Sequence, residues 1–254
     1  CTDTLGLDTI LQYSDIPGFF KRPRFEYKDA DEIYIYAGGI WHHNGANSGE
    51  QILYNDGRLE FQFTNGTGSG FIYLYLDDSD GISAPLAAGD LIDSETAPTH
   101  SATKGGWYNG EDRCIGAFYQ TAANTLKTFF NHGSDTFYYD GDFTLLNNVD
   151  VDNAWQDVTT YTPFPQADDT FIGGRAAVTI LLAGNNGAKW VYIRGGDAAA
   201  YYHFICTQGG GSDRTMSHIT IPVDENAKCQ VYNSVSDADT LYVYQSGYEV
   251  PNGV

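Results

Sequence analysis

The clearest structural signal in this chain is a pair of apolar segments, Ala176-Ala177-Val178-Thr179-Ile180-Leu181-Leu182 and Lys189-Trp190-Val191-Tyr192-Ile193-Arg194. Between them lie the turn-forming residues Gly184-Asn185-Asn186-Gly187. Runs rich in β-branched and aromatic residues that are bounded by Gly and Asn are typical of β-strands joined by a short loop. Further runs of this kind follow at spacings of roughly 10–12 residues, as in a β-sandwich. The pattern predicts a hairpin at this loop and a compact β-sandwich over residues 151–254.

Similar runs recur toward the N-terminus, so the whole chain is predicted to be all-β. Asn55-Asp56-Gly57 and Asp140-Gly141 each separate two such runs, and Asp-Gly tolerates the positive φ of a hairpin turn, which predicts two more hairpins. No stretch repeats apolar residues with a helical period. The predicted fold is a set of β-sandwich (jelly-roll-like) modules with an extended N-terminal segment. The predicted organisation is an N-terminal extension (1–28), a first β domain (29–150) and a second β domain (151–254).

Charge and composition restrict the partners. The chain has 254 residues, with 33 Asp and Glu against 13 Lys and Arg, which gives a formal net charge of −20. Such a charge repels nucleic acid and anionic lipid. No apolar run approaches the roughly 20 residues that a membrane-spanning helix needs. The composition therefore predicts no nucleic-acid partner, and it predicts membrane contact only through an attached lipid.

The first residue suggests export. A chain that begins at Cys1 resembles a mature bacterial lipoprotein, in which that cysteine carries the lipid. This resemblance implies lipidation of Cys1 and an extracellular or cell-surface location. The alternative is that Cys1 is only where the sequence starts.

Two other cysteines lie in predicted strands. Cys206 ends the apolar run from Tyr201, and Cys229 begins the run Gln230-Val231-Tyr232. In an exported protein the two can form a disulfide, which is our prediction. The alternative is that the cysteines are small buried hydrophobic residues. The absence of any C-x-x-C pair argues against a zinc or iron–sulfur site.

The N-terminal segment has the pattern of an exchanged strand. Four of its apolar residues share one parity and would form a single stripe in an extended chain: Leu5, Leu7, Leu11 and Tyr13. A basic cluster follows directly: Lys21, Arg22, Arg24 and Lys28. An extended stripe can complete the sheet of a neighbouring subunit, and the basic cluster can guide docking onto an acidic body. Both sets are therefore predicted subunit-interface residues. The alternative is an ordinary first strand, or a short helix, that pairs within its own chain.

Few residues suggest metal or glycan chemistry. Asp78 and Asp80 lie in an oxygen-rich loop and form a weak Ca²⁺ candidate, with solvated turn acids as the alternative. No other cofactor is predicted. Exposed aromatic rings stack on sugars while neighbouring Asp and Asn bind hydroxyls, so a glycan site is a second hypothesis. Its candidate rings are the four tryptophans, of which Trp190 is expected in the core: Trp41, Trp107, Trp155 and Trp190.

Modification and catalysis have weaker signals. Asn65-Gly66-Thr67 is a glycosylation sequon in a predicted turn. No nucleophile, phosphate-loop or dinucleotide motif is present. The chain is therefore predicted not to be an enzyme, with a hydrolase that uses paired carboxylates as the enzymatic alternative.

The order of motifs in the first β region resembles a known module. Phe71-Ile72-Tyr73-Leu74-Tyr75-Leu76 is followed by Trp107-Tyr108-Asn109-Gly110 and then by Arg113-Cys114-Ile115-Gly116. This order is similar to a β module of phage tail-fibre and virion structural proteins and of related exported bacterial proteins. The resemblance covers roughly residues 29–250 and implies a structural, non-catalytic role. The predicted function is an extracellular or virion structural protein that polymerises with copies of itself into a filament or fibre. The alternative is a tail or surface adhesin that binds a glycan receptor.

Overall fold

The protein is described from a computed structural model. The structure describes residues 23–44, 49–55, 57–78, 82, 85–133, 135–149, 154–164, 173–183, 191–195, 202–204, 214–233, 240–251 and 254. These residues form β-strands and one short 3₁₀ turn, Ala88–Asp90, and they contain no α-helix. The prediction of an all-β, sandwich-type fold is confirmed. Among the described residues no helix is long and apolar enough to span a bilayer.

The chain divides into two compact units, residues 1–135 with 252–254 and residues 136–251. The predicted boundary at residue 150 therefore differs from the observed one. The reason is that a single strand, Thr136–Val149, runs through the predicted boundary and pairs with a C-terminal strand of the second unit. The predicted N-terminal extension (1–28) is also too long, because Phe25–Tyr27 already pairs with the body of the first unit.

The described residues of unit 1 form twelve strands. They are β1 (Phe25–Tyr27), β2 (Glu32–Ile35), β3 (Gly38–Asn44), β4 (Gly49–Asn55), β5 (Leu59–Gln62), β6 (Gly70–Leu76), β7 (Leu91–Ser94), β8 (Thr99–Ser101), β9 (Gly106–Asn109), β10 (Asp112–Ala122), β11 (Thr125–Leu126) and β12 (Phe129–Phe130). One sheet has the order β1-β2-β5, and a second has the order β7-β6-β10-β9-β8 with β11 also paired to β10. Strands β3 and β4 pair with each other.

Aromatic rings fill the core of unit 1. Phe118 of β10 lies 5.3 Å from Phe25, 5.4 Å from Phe63 and 5.2 Å from Phe129, measured between ring centres. All four side chains are buried. Tilted and edge-on ring pairs of this kind add to the free energy of burial itself. The core thus joins the β1-β2-β5 sheet to strand β10 of the other sheet.

The described residues of unit 2 form eight strands in a jelly-roll arrangement. They are β13 (Thr136–Val149), β14 (Trp155–Thr159), β15 (Arg175–Ala183), β16 (Val191–Gly195), β17 (Tyr202–Phe204), β18 (Arg214–Pro222), β19 (Lys228–Asn233) and β20 (Thr240–Glu249). Within this unit, the strands of one sheet follow the order β13-β20-β15-β18 and those of the other follow the order β14-β19-β16-β17. Numbered within the unit, these orders are 1-8-3-6 and 2-7-4-5, in which every pair is antiparallel. This is the strand order of a jelly roll.

The core of unit 2 lies between these two sheets. Every second side chain of each central strand points inward, since a strand alternates its side chains between its faces. The inward residues are aliphatic or small and are almost completely buried: Val158, Val178, Ile180, Leu182, Val191, Ile193, Cys229, Val231, Leu241 and Val243. Burial of one such aliphatic side chain contributes about 1.5–3 kcal/mol.

The three predicted hairpins are wrong. β15 and β16, the segments on either side of Gly184–Gly187, lie in different sheets. β4 pairs with β3, and β5 pairs with β2, so the strands around Asp56-Gly57 are not partners. Gly141 has φ +80° but lies within β13, whose two halves both pair with β20. Asp140-Gly141 is therefore part of a β-bulge, which uses the same left-handed conformation as a hairpin turn.

Candidate functional site

An aromatic row crosses the outer face of the β14-β19-β16 sheet. Trp155 of β14 is in register with Tyr232 of β19, and Tyr232 is in register with Tyr192 of β16. The ring centres are 5.4 Å apart for the first pair and 5.8 Å apart for the second. All three side chains are partly exposed. The row thus runs perpendicular to the strands, across three neighbouring strands of the sheet.

A polar row lies beside the aromatic row, two residues away from it on each strand. Asp157, Gln230 and Arg194 are in register across the same three strands. Arg194 Nε donates to Gln230 Oε1 at 2.6 Å, and Gln230 Nε2 donates to Asp157 Oδ1 at 2.7 Å. The Nζ of Lys228 lies 3.3 Å from the other carboxylate oxygen. The hydrogen bond from Gln230 and the neighbouring Lys228 ammonium lower the pKa of Asp157.

One contact joins the two rows. The guanidinium carbon of Arg194 lies 4.2 Å from the centre of the Trp155 ring, a cation–π distance. The side chain of Arg194 therefore lies across β19, with Nε on Gln230 and the guanidinium on Trp155. The two rows form one connected surface, which we call the aromatic–polar face: Trp155, Tyr192, Tyr232, Asp157, Arg194 and Gln230.

The local sequence explains why these residues share a face. In Lys228–Asn233 the residues Cys229, Val231 and Asn233 are buried, and the alternate residues are partly exposed. Val191–Gly195 has the same alternation. Since the inward residues anchor the sheet on the core, the outward ones are held at fixed spacing. Gly195 ends β16, where a Cβ would lie 2.6 Å from the carbonyl oxygen of Pro222.

This arrangement suits recognition of a polyhydroxylated ring. An aromatic face presents an apolar, polarisable surface to the C–H groups of a sugar ring. Asp, Gln and Arg side chains together offer both acceptors and donors to hydroxyl groups. Of the four predicted tryptophans, Trp155 alone is shown with a partly exposed ring. Trp107 is 2% exposed and packs edge-on against His100, so it is not available for stacking. The Trp41 side chain and Trp190 lie outside the described residues.

Sequence reasoning missed five of the six residues of the aromatic–polar face. The alternation in β16 and β19 marks Tyr192, Arg194, Gln230 and Tyr232 as outward-facing. It does not reveal that these residues are neighbours, because the register between strands that are far apart in sequence is a tertiary property.

A separate feature, a cleft, lies in unit 1. A cleft of about 580 Å³ is lined by Asn65, Tyr75, Ile92, Asp93, Ser94, Glu95, Thr96, Asn109 and Asp112. The buried Asp93 carboxylate accepts hydrogen bonds from the backbone N–H groups of Thr64 and Asn65 and from Asn65 Nδ2. Glu95 accepts from the backbone and hydroxyl of Thr67. These two carboxylates therefore hold the loop at residues 64–67.

The same contacts bear on the predicted glycosylation sequon. Asn65 Nδ2 donates to Asp93 Oδ1 at 2.8 Å and to the Asp93 carbonyl at 3.0 Å. An N-linked sugar would replace one of the two amide hydrogens. Modification of Asn65 in the folded protein is thus disfavoured.

The described part of the Ca²⁺ candidate has no metal-binding geometry. The backbone N–H of Asp78 donates to Asp112 Oδ1 at 3.0 Å, while Asp80 lies outside the described residues. Burial raises the pKa of Asp112, with further contributions from Asp77 and Asp78. No group of three or more His, Cys, Asp or Glu side chains suited to a metal occurs in the described part of the chain. Calcium binding stays a prediction.

The predicted disulfide is not formed at Cys229. Cys229 and Cys114 are both buried free thiols. The Cys229 side chain packs in the core of unit 2, which is the alternative role of a small hydrophobic residue. Cys206 lies outside the described residues.

The described members of the basic cluster form ion pairs within their own unit. Arg24 pairs with Glu26 at 2.9 Å, and Lys28 pairs with Glu32 at 2.7 Å and with Glu60 at 3.0 Å. Their positive charges are thus already balanced locally. The remaining predicted interface and lipidation residues lie outside the described residues: Cys1, Leu5, Leu7, Leu11, Tyr13, Lys21 and Arg22.

No protein-family model matches this chain, and no curated protein matches it. The resemblance to tail-fibre and virion proteins therefore stays a prediction, and the candidate function depends on the geometry alone.

Proposed function

We propose that this protein binds carbohydrate through the aromatic–polar face of unit 2. The observation that carries the proposal is the register of Trp155, Tyr232 and Tyr192 in one row, beside a hydrogen-bonded row of Asp157, Gln230 and Arg194. Such a face supplies apolar surface to sugar C–H groups and polar groups to sugar hydroxyls side by side.

The network within the polar row supports a binding role because it positions the side chains before a ligand arrives. Gln230 is held from both sides, by Arg194 and by Asp157. Binding then loses less side-chain entropy than it would on an unconstrained surface. The Arg194 contact likewise restrains the Trp155 ring.

Glycan binding is the adhesin hypothesis of the sequence analysis and agrees with the predicted extracellular, cell-surface or virion location. The filament hypothesis remains a prediction. The stripe that carries it lies within residues 1–22, outside the described residues.

The test is a glycan array followed by calorimetry on the full chain. Tyr232→Ala removes the centre of the aromatic row, and we expect it to reduce affinity for any bound glycan by about ten-fold or more, the loss of a buried aromatic contact. Tyr242→Ala is the matched control, because Tyr242 lies on β20 of the other sheet and is also partly exposed. Absence of any bound glycan, or equal effects of the two variants, would overturn the proposal.

A further inference from the structure

We infer that the ligand is an internal stretch of a single, linear, neutral glycan whose sugar rings carry equatorial hydroxyls, such as a β-1,4-linked glucose or xylose chain. This inference rests on the proposed function and adds the direction, the shape and the charge of the ligand. Four features of the aromatic–polar face carry it.

The first feature is the direction of the row. Trp155, Tyr232 and Tyr192 occupy one register line across β14, β19 and β16. Neighbouring ring centres are 5.4 and 5.8 Å apart, close to the length of one sugar ring in a chain. A chain that crosses the strands can therefore place successive sugar rings over successive aromatic rings. A monosaccharide could contact only one of the three at a time.

The second feature is the tilt between the rings. The planes of Trp155 and Tyr232 differ by 42°, and those of Tyr192 and Tyr232 differ by 58°. A flat crystalline surface cannot lie against three rings that are inclined in this way. A single chain can, because rotation about its glycosidic bonds turns each sugar ring relative to the one before it.

The third feature is the side-by-side arrangement of the two rows. A sugar ring whose hydroxyls are all equatorial exposes C–H groups on its faces and hydroxyls along its edges. The polar row lies two residues along each strand from the aromatic row, roughly 7 Å at about 3.3 Å per residue. Asp157, Gln230 and Arg194 thus lie beside one edge of a chain that stacks on the aromatic row. An axial hydroxyl would project toward the aromatic rings and would lose its hydrogen bonds there.

The fourth feature is charge. The cations of the face are already engaged, since Lys228 pairs with Asp157 and Arg194 with Gln230 and Trp155. The chain as a whole carries −20. An anionic polysaccharide would be repelled by this field. A neutral glycan would not be repelled.

The experiment compares defined glycans by calorimetry with the full chain. Cellohexaose and xylohexaose are the expected ligands, and we expect them to bind about ten-fold or more tightly than cellobiose, because only the longer chains reach all three rings. Mannohexaose, which has an axial hydroxyl on every ring, and polygalacturonate, which is anionic, are expected to bind at least ten-fold more weakly. Microcrystalline cellulose is expected not to retain the protein in a pull-down.

Two variants test whether the preference for long glycans depends on the aromatic row. Trp155→Ala and Tyr192→Ala each shorten the row at one end, so each is expected to reduce the preference for hexasaccharide over disaccharide. Far-ultraviolet circular dichroism and thermal unfolding establish that both variants are folded.

The two proposals fail in different ways. If no glycan binds in a Tyr232-dependent manner, carbohydrate binding itself is overturned. If a glycan binds through Tyr232 but the preferred ligand is a disaccharide, an axial sugar, an anionic polymer or crystalline cellulose, the proposed function stands. In that case only the present inference is overturned.

Discussion

Arg194 and Trp155 are in contact although strand β19 lies between the strands that carry them. The guanidinium carbon lies 4.2 Å from the ring centre, and the Arg194 side chain reaches it across Gln230, to which its Nε donates. One side chain thereby connects the outer surfaces of β16, β19 and β14. The contact has consequences for both stability and binding.

Arg194→Met keeps most of the side chain but removes the charge and the hydrogen bond. A cation–π contact at an exposed site contributes about 0.5–1 kcal/mol. We expect a decrease of this size in the free energy of unfolding, measured by urea denaturation, together with a few-fold loss of glycan affinity. Arg194→Lys, which keeps the charge without the planar group, should restore only part of either quantity. Unchanged stability and affinity in Arg194→Met would contradict this role.

Asp157 should remain charged to unusually low pH. Its pKa is lowered first by the hydrogen bond from Gln230 and then by Lys228. Because the folded-state pKa lies below the unfolded value of about 3.9, the stabilisation is complete above that value and is lost as the pH falls through the folded-state pKa. We expect glycan affinity to be constant from about pH 7 to pH 5 and to decline only below about pH 4.

Nuclear magnetic resonance of the side-chain carboxyl measures this pKa directly. Gln230→Leu and Lys228→Met should each raise the pKa of Asp157, because the hydrogen bond from Gln230 is the largest single cause of its lowering and Lys228 adds a hydrogen bond and a positive charge. An unchanged pKa in Gln230→Leu, or a titration midpoint of the unmodified protein at or above the ordinary value, would show that the polar row is not formed in solution.

Gly195→Ala should destabilise unit 2. The added Cβ would lie 2.6 Å from the Pro222 carbonyl oxygen, a backbone atom that cannot move aside without distorting the sheet. Overpacking of this kind costs about 1–3 kcal/mol. Gly68→Ala is the control, since a Cβ there has no atom within 4 Å. Chemical denaturation of both variants checks the prediction, and equal stabilities would refute it.

Cys114 and Cys229 should be inert in the native protein. Burial raises the pKa of both thiols, that of Cys229 to about 12, so little reactive thiolate forms near neutral pH. A chromogenic thiol reagent should therefore label neither residue until the protein is denatured. After denaturation without reductant, mass spectrometry should find label on Cys229. An unlabelled Cys229 linked to Cys206 would instead establish the predicted disulfide.

Asp93→Ala should destabilise unit 1 more than the small size of the removed side chain suggests. It leaves the N–H groups of Thr64 and Asn65 and the Asn65 amide without their acceptor. Because Thr64 and Asn65 are exposed, water can replace part of the lost acceptor, and a decrease of about 1–3 kcal/mol is expected in urea denaturation. Glu95→Ala, which removes an exposed carboxylate that accepts hydrogen bonds from Thr67 of the same 64–67 loop, should have a smaller effect. The opposite ranking would contradict the role assigned to Asp93.

The sequence by itself determined the all-β class and which side chains of several strands face inward. In residues 228–231 and 191–194 the small or aliphatic residues are buried and the residues between them are partly exposed. That information is local, because neighbouring side chains of an extended chain necessarily point to opposite faces. The all-β class follows from many such segments.

Tertiary structure alone decided which strands are partners. Gly184–Gly187 has the composition of a hairpin loop, yet β15 and β16 lie in different sheets of the jelly roll. A turn sequence specifies only a backbone conformation, whereas strand pairing is selected by the burial of two apolar sheet faces against each other. The same selection brought Tyr232 into register with both Trp155 and Tyr192, which lie far from it in sequence. The candidate site could not be predicted from the sequence, because its six residues become neighbours only when the sheet forms.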